Sequence, residues 1–145
     1  MPDPIALEGE IAEALATAAE RGRSSVLAHV AEDGTPRATF RGSVIVRGAQ
    51  QLALWVRKTD SGLATAVREH PRVALVYYSP DGTSPAYLSI AGSAHVDPSV
   101  NDEVYAAIPE IEQQKDPERA GVAILVDVDI VDGAGAAGPF SQRAA

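Results

Sequence analysis

Residues Ser25–Arg41 read SVLAHVAEDGTPRATFR, two alternating runs on either side of Asp33-Gly34. An Asp-Gly pair between alternating segments is a hairpin signal, because a tight turn needs positive φ that glycine supplies without strain. Ser25–Ala31 therefore reads as one strand and Arg37–Arg47 as its antiparallel continuation. In the second run Ala38, Phe40, Gly42, Val44 and Val46 share one face, while Arg37, Thr39, Arg41, Ser43 and Arg47 mostly share the other.

The same two-residue period extends outward. Gly48-Ala49 turns the chain into Gln51–Arg57, where Leu52, Leu54 and Val56 oppose Ala53, Trp55 and Arg57. A short helix over Asp60–Glu69 points Leu63 and Val67 inward and ends at His70, since the residue before Pro71 avoids the α region. Arg72–Tyr78 and Ala86–Val96 follow as strands joined by Ser79-Pro80-Asp81-Gly82, and Val122–Val131 is a further strand. Three Asp-Pro pairs, at Asp3-Pro4, Asp97-Pro98 and Asp116-Pro117, offer an N-cap acceptor and a residue whose missing N–H costs nothing in a first helical turn. They predict a helix from Pro4 to about Arg21, one carrying Val100, Val104 and Ile108, and a short turn before Gly121. Six strands with hairpin-length links predict a mostly β (α+β) protein. Six strands that must hide their edges suggest an antiparallel barrel with peripheral helices.

The 145 residues suit one domain, expected over residues 1–132, with 133–145 as a flexible Gly/Ala-rich tail. With no cysteine, a disulfide framework, thiolate zinc, an iron–sulfur cluster and a cysteine nucleophile are all excluded. Twenty acids against twelve bases give a formal charge of −8, which repels nucleic-acid phosphates over most of the surface. No apolar run is long enough to span a membrane as a helix, and Met1-Pro2-Asp3-Pro4 lacks the basic and apolar regions of a signal peptide. The expected compartment is the cytoplasm.

Most motifs have ordinary readings. Gly133-Ala134-Gly135-Ala136-Ala137-Gly138 is a literal G-x-G-x-x-G, but too few residues follow to build a dinucleotide-binding helix and strand. His29, His70 and His95 show no metal-ligand spacing and read as surface or satisfied strand residues. Asp127 and Asp129 read as a solvated strand face. Neither G-x-S-x-G nor a Walker sequence occurs. The polar face of the second strand is different. Arg37, Thr39 and Arg41 project from one side of it, and Trp55, Arg57, Lys58, Thr59, Asp60 and Ser61 lead into the short middle helix. Cations beside a helix start suit a phosphate, and Trp55 offers a flat surface for an aromatic ring.

The run from Trp55 through Ser61 to Glu69-His70-Pro71-Arg72-Val73-Ala74-Leu75 resembles the core signature of the pyridoxamine 5′-phosphate oxidase-like, FMN-binding split-barrel family. Gly34-Thr35-Pro36-Arg37 is similar to that family's Gly-x-Pro hairpin, and Tyr87–Ala94 to its later strand ending in Gly-x-Ala. The resemblance spans roughly Val26 to Val131. It implies a six-stranded antiparallel split β-barrel, a homodimer, and FMN held between subunits for oxidoreductase chemistry on a small-molecule substrate. It implies cofactor-binding roles for Arg41, for Val56 and Arg57 at the end of the next strand, and for Ser61. Thr39, Trp55 and Lys58 complete the expected set. Where the family commonly follows the serine with two bases, this chain has Gly62 and Leu63, while Arg57 and Lys58 replace uncharged family residues. The resemblance thus implies that the phosphate-binding charge has moved upstream. It also leaves room for the deazaflavin F420, bound by related split-barrel proteins, for haem as in others, or for a non-catalytic ligand-binding or scaffold member. No catalytic residue or metal ligand is identified. Pyridoxamine phosphate oxidation itself is disfavoured, because only Arg143 is basic beyond Val131.

Overall fold

The computed structural model describes residues 1–145. Eight strands and four helices follow in chain order: α1 Glu10–Thr17, β1 Ser25–Val30, β2 Pro36–Arg41, β3 Ile45–Val46, β4 Gln51–Val56, α2 Leu63–Glu69, β5 Arg72–Tyr78, β6 Tyr87–Val96, α3 Asn101–Ala107, α4 Glu110–Gln113, β7 Val122–Gly135 and β8 Gly138–Arg143. A 3-10 turn over Pro98–Val100 leads into α3, with the Asp97 side chain accepting from the Ser99 amide.

The strands form one antiparallel sheet in the order β2-β1-β5-β6-β7-β4-β3, with β8 paired to β7. Its two ends, β2 and β3, are consecutive in the chain and separated only by Gly42–Val44. So short a link forces the sheet to curl until its ends approach, which gives the split β-barrel. Ser43 fastens the junction, accepting from the Trp55 amide and donating to the Trp55 carbonyl, each at 3.1 Å.

Two hydrophobic clusters explain the burial of the central strands. Leu27, Leu52, Leu54, Leu75, Leu88, Ile90, Ile124 and Val126 fill the barrel together with residues of α1 and α2. Ala53, Trp55, Ala123 and Leu125, on the opposite faces of β4 and β7, pack under α3 against Val104, Tyr105 and Ile108. These strands are therefore buried on both sides. No helix is long and apolar enough to cross a membrane.

Several expectations change. The strand expected over Arg37–Arg47 divides at Gly42–Val44, because its first part pairs with β1 and its last with β4. Phe40 faces outward and is 79% exposed, so the apolar face of β2 is not its core face. The segment expected as a loose tail is instead a hairpin. β7 continues to Gly135 and β8 returns along it from Gly138 to Arg143. The glycines serve that hairpin: a side chain at Gly133 would strike the Tyr87 carbonyl and the Phe140 ring, and Gly138 has a φ of 103°. The first helix begins at Glu10 rather than near Pro4. Asp3 is drawn to the edge of β8, donating its amide to Ser141 and accepting from that of Arg143, while Gly9 at φ 91° marks the turn into α1.

Candidate functional site

A hairpin register decides which polar groups meet. Across β1 and β2, His29 faces Arg37, Leu27 faces Thr39 and Ser25 faces Arg41. His29, Leu27 and Ser25 are buried, so Arg37, Thr39 and Arg41 share the concave side of the sheet. Two adjoining clefts open there. One, of about 430 Å³, is lined by Arg41, Val56, Arg57, Lys58, Ser61, Gly62 and Leu63. The other, of about 490 Å³, lies between the β1–β2 hairpin and the start of α2. Arg41, Gly62 and Leu63 border both.

Arg41 is half-buried, and its Nε donates to Thr39 Oγ1 at 3.1 Å. Its terminal nitrogens have no partner within the chain. Burial, and then the neighbouring charge of Arg57, pull its pKa below the ordinary arginine value. Two guanidinium groups thus stand near one another, and neither is held in an ion pair. Five lysine or arginine side chains elsewhere form ion pairs, yet Arg37, Arg41, Arg57 and Lys58 form none. In a chain with twenty acids, unpaired cations gathered at one place are a standing electrostatic cost that a bound anion would relieve.

Most of the residues expected from sequence gather at this corner: Thr39, Arg41, Val56, Arg57, Lys58 and Ser61. Val56 contributes from the barrel wall, its side chain 4% exposed in the main core. Trp55 stands apart. Strand alternation turns its indole to the other face of β4, where it is 6% exposed, stacks edge-on against Tyr105 at 5.3 Å and donates to Asp116 at 2.9 Å. It offers no flat surface to a ligand in either cleft. The helix start also counts for less than expected, since α2 begins at Leu63 and is only seven residues long. The attraction for anions comes from side chains.

His29 was not among the residues expected here. It is 7% exposed and lines the second cleft with Arg37, Thr39, Arg41 and Thr65. Its Nδ1 is the one buried side-chain nitrogen or oxygen in the chain without a hydrogen-bond partner. Counting across the Asp33-Gly34 turn would have placed it opposite Arg37.

No family model matches the chain, and no curated protein matches it in sequence. Solved structures do share its fold. A pyridoxamine 5′-phosphate oxidase-related, FMN-binding protein from Nostoc punctiforme aligns over 93% of this chain and 86% of that one, with 19% identity and a TM-score of 0.61. General stress protein 26 from Bacillus anthracis aligns over 93% and 99%, with 18% identity and a TM-score of 0.61. An F420 reductase aligns over 85% and 97%, with 23% identity and a TM-score of 0.60. The chain has the split-barrel fold of the pyridoxamine 5′-phosphate oxidase-like proteins.

Proposed function

We propose that the protein is a flavin-binding oxidoreductase acting on a small molecule, with FMN as its cofactor and its phosphate held by Arg41, Arg57 and Lys58. The supporting observation is Arg41, half-buried beside Arg57 with no acid to pair with. Thr39 fixes the Arg41 guanidinium through Nε and leaves its terminal N–H groups for an oxyanion. Arg57, Lys58 and Ser61 are exposed on the segment between β4 and α2 and close the other side. When bound, the flavin ring supplies the two-electron chemistry, so the protein needs to orient it and exclude water rather than provide an acid or base.

The proposal includes a homodimer. Phe40, Val76, Tyr78 and Tyr87 are 79%, 49%, 66% and 44% exposed on the outer face of the sheet. Phe40 pairs with Val26 and Val26 with Val76, while Tyr78 pairs with Tyr87, so they form one apolar surface. Contiguous exposed apolar surface of this kind marks an interaction site. Phe40 and Arg41 are adjacent on β2 but point to opposite faces, so a second copy on the outer face would approach the charged corner only around the β2 edge.

Titration with FMN tests the reading. A charged hydrogen bond is worth about 1.5–3 kcal/mol, so Arg57→Glu should weaken FMN binding by at least roughly tenfold. Unchanged affinity would remove the phosphate from this corner. A second reading, an F420-dependent reductase, draws on the 23% identity with the F420 reductase. The visible absorbance of protein purified without added cofactor separates the two, and a colourless protein that takes up neither would leave a ligand-binding or scaffold role.

A further inference from the structure

The cleft on the His29 side of Arg41 has its own chemistry. His29 Nδ1 is sealed from solvent and from every hydrogen-bond partner. A buried N–H without an acceptor forfeits its hydration, so the neutral imidazole keeps Nδ1 as the bare lone pair and carries its proton on Nε2. A tautomer fixed in this way makes His29 a donor. The other inward-facing groups of β2 are Arg37 and Arg41, both cationic and neither ion-paired, with the Thr39 hydroxyl between them. From α2 come only Leu63 and Thr65, and from just before it Gly62, which add no charge. Glu32 and Asp33 stand at the outer end, and Asp33 is turned into the hairpin, accepting from the Thr35 amide at 2.9 Å. The cleft is thus positive where His29 lies and negative at its mouth.

We propose that this cleft is a second oxyanion subsite, in which His29 Nε2–H and the guanidinium groups of Arg37 and Arg41 receive a carboxylate or phosphate of a small ligand. The acids at the mouth oppose an extended polyanion, so the ligand class is a compact molecule with one acidic group directed inward. The subsite stands whether or not a flavin occupies the Arg57 side, since the two clefts share only Arg41, Gly62 and Leu63.

The test follows the His29 ring by nitrogen–proton NMR in the full chain. The chain has only three histidines, so His29→Leu assigns the signals by removing one set. Inorganic phosphate and acetate are titrated separately at constant ionic strength. The expected result is a saturable shift of the His29 ring with at least one anion, and the responding anion tells phosphate from carboxylate. Exposed Arg37 can be replaced without disturbing the core, and Arg37→Ala should weaken that response about tenfold. A His29 ring indifferent to both anions overturns the proposal. So does a response kept in full with Arg37→Ala, which would put the anion at the Arg57 corner.

Discussion

Trp55 and Asp116, sixty-one residues apart in the chain, are joined by a buried hydrogen bond from the indole Nε1–H to carboxylate Oδ2 at 2.9 Å. The same oxygen accepts from the Gly121 amide at 2.9 Å, and Oδ1 from the Ala120 amide at 3.0 Å. Tyr105 completes the enclosure, its hydroxyl donating to the carbonyls of Gln113 and Asp116. This knot fixes the end of β4, and the next residues along the chain are Val56 in the barrel core and Arg57 in the cleft. The second core thereby positions the charged corner that it does not line.

Removing the carboxylate leaves one indole and two backbone N–H groups without acceptors. Each buried unsatisfied donor costs about 1–3 kcal/mol, less than additively, so Asp116→Ala should lower unfolding stability by about 2–4 kcal/mol in urea. Asp116→Asn, with its oxygen at the Oδ2 position, keeps two acceptances and should lose less. Burial alone would push the Asp116 pKa up. The hydrogen bonds from Trp55, Ala120 and Gly121, together with the charge of Arg57, outweigh it and hold the carboxyl below its usual range. A depressed carboxylate stabilises the fold above the unfolded pKa near 4 and ceases to as pH falls through the folded value. Wild type should therefore lose more stability on acidification below about pH 4 than Asp116→Asn.

The outer face of the sheet gives a separate prediction. Phe40 is too exposed to hold the monomer together, so Phe40→Asp should shift folding stability by no more than about 0.5 kcal/mol. Covering a phenylalanine is worth about 1.5–3 kcal/mol. The same substitution should therefore weaken self-association about ten- to hundredfold, read by sedimentation over a concentration series. Wild type that sediments as a monomer at all concentrations would exclude the dimer.

His29 carries a pH dependence of the opposite chemical kind. Burial first, and then the charges of Arg41 and Arg37, lower its pKa below the ordinary value of about 6.5. Between the two values the unfolded chain binds the extra proton and the folded chain does not, so stability falls as pH drops below about 6.5. His29→Leu, which cannot titrate, should remove that slope. Urea unfolding of both proteins at pH 7.5 and pH 5.5 measures it, and equal slopes would mean that His29 protonates freely in the fold.

The register of β1 and β2 was legible because Asp33-Gly34 fixes it, and with it the shared face of Arg37, Thr39 and Arg41. What alternation could not say was which face is the core. Phe40 groups with apolar residues by alternation yet is exposed, whereas Trp55 lies on the expected face, away from Leu54 and Val56, but is buried there under α3. Strand β4 is covered on both sides, so the two-residue period lacks a polar half that would have shown the Trp55 face to be buried. The β7–β8 hairpin was hidden for another reason. Its run from Gly133 to Pro139 is only glycine, alanine and proline, and the pairing rests largely on backbone contact of β8 with β7 and Asp3, with Phe140 the one large apolar side chain of β8. The charges of Arg57 and Lys58 could be read from sequence, but that neither forms an ion pair could not.

The same lack of an ion pair sets binding against stability at Arg41. Its guanidinium is half-buried, near Arg57, and without a carboxylate, so the ligand-free fold bears both a desolvation cost and a like-charge cost. Arg41→Met keeps most of the aliphatic packing and removes both. The ligand-free variant should be as stable as wild type or more so, by up to about 1 kcal/mol in urea. Its affinity for inorganic phosphate and FMN should nevertheless fall roughly tenfold to hundredfold, the equivalent of one charged hydrogen bond of about 1.5–3 kcal/mol. Saturating FMN should then stabilise wild type strongly and the variant weakly, because stabilisation follows the ratio of ligand concentration to dissociation constant. An Arg41→Met protein that is less stable without ligand, yet binds FMN as wild type does, would make Arg41 a packing residue and leave Arg57 and Lys58 to hold the phosphate alone.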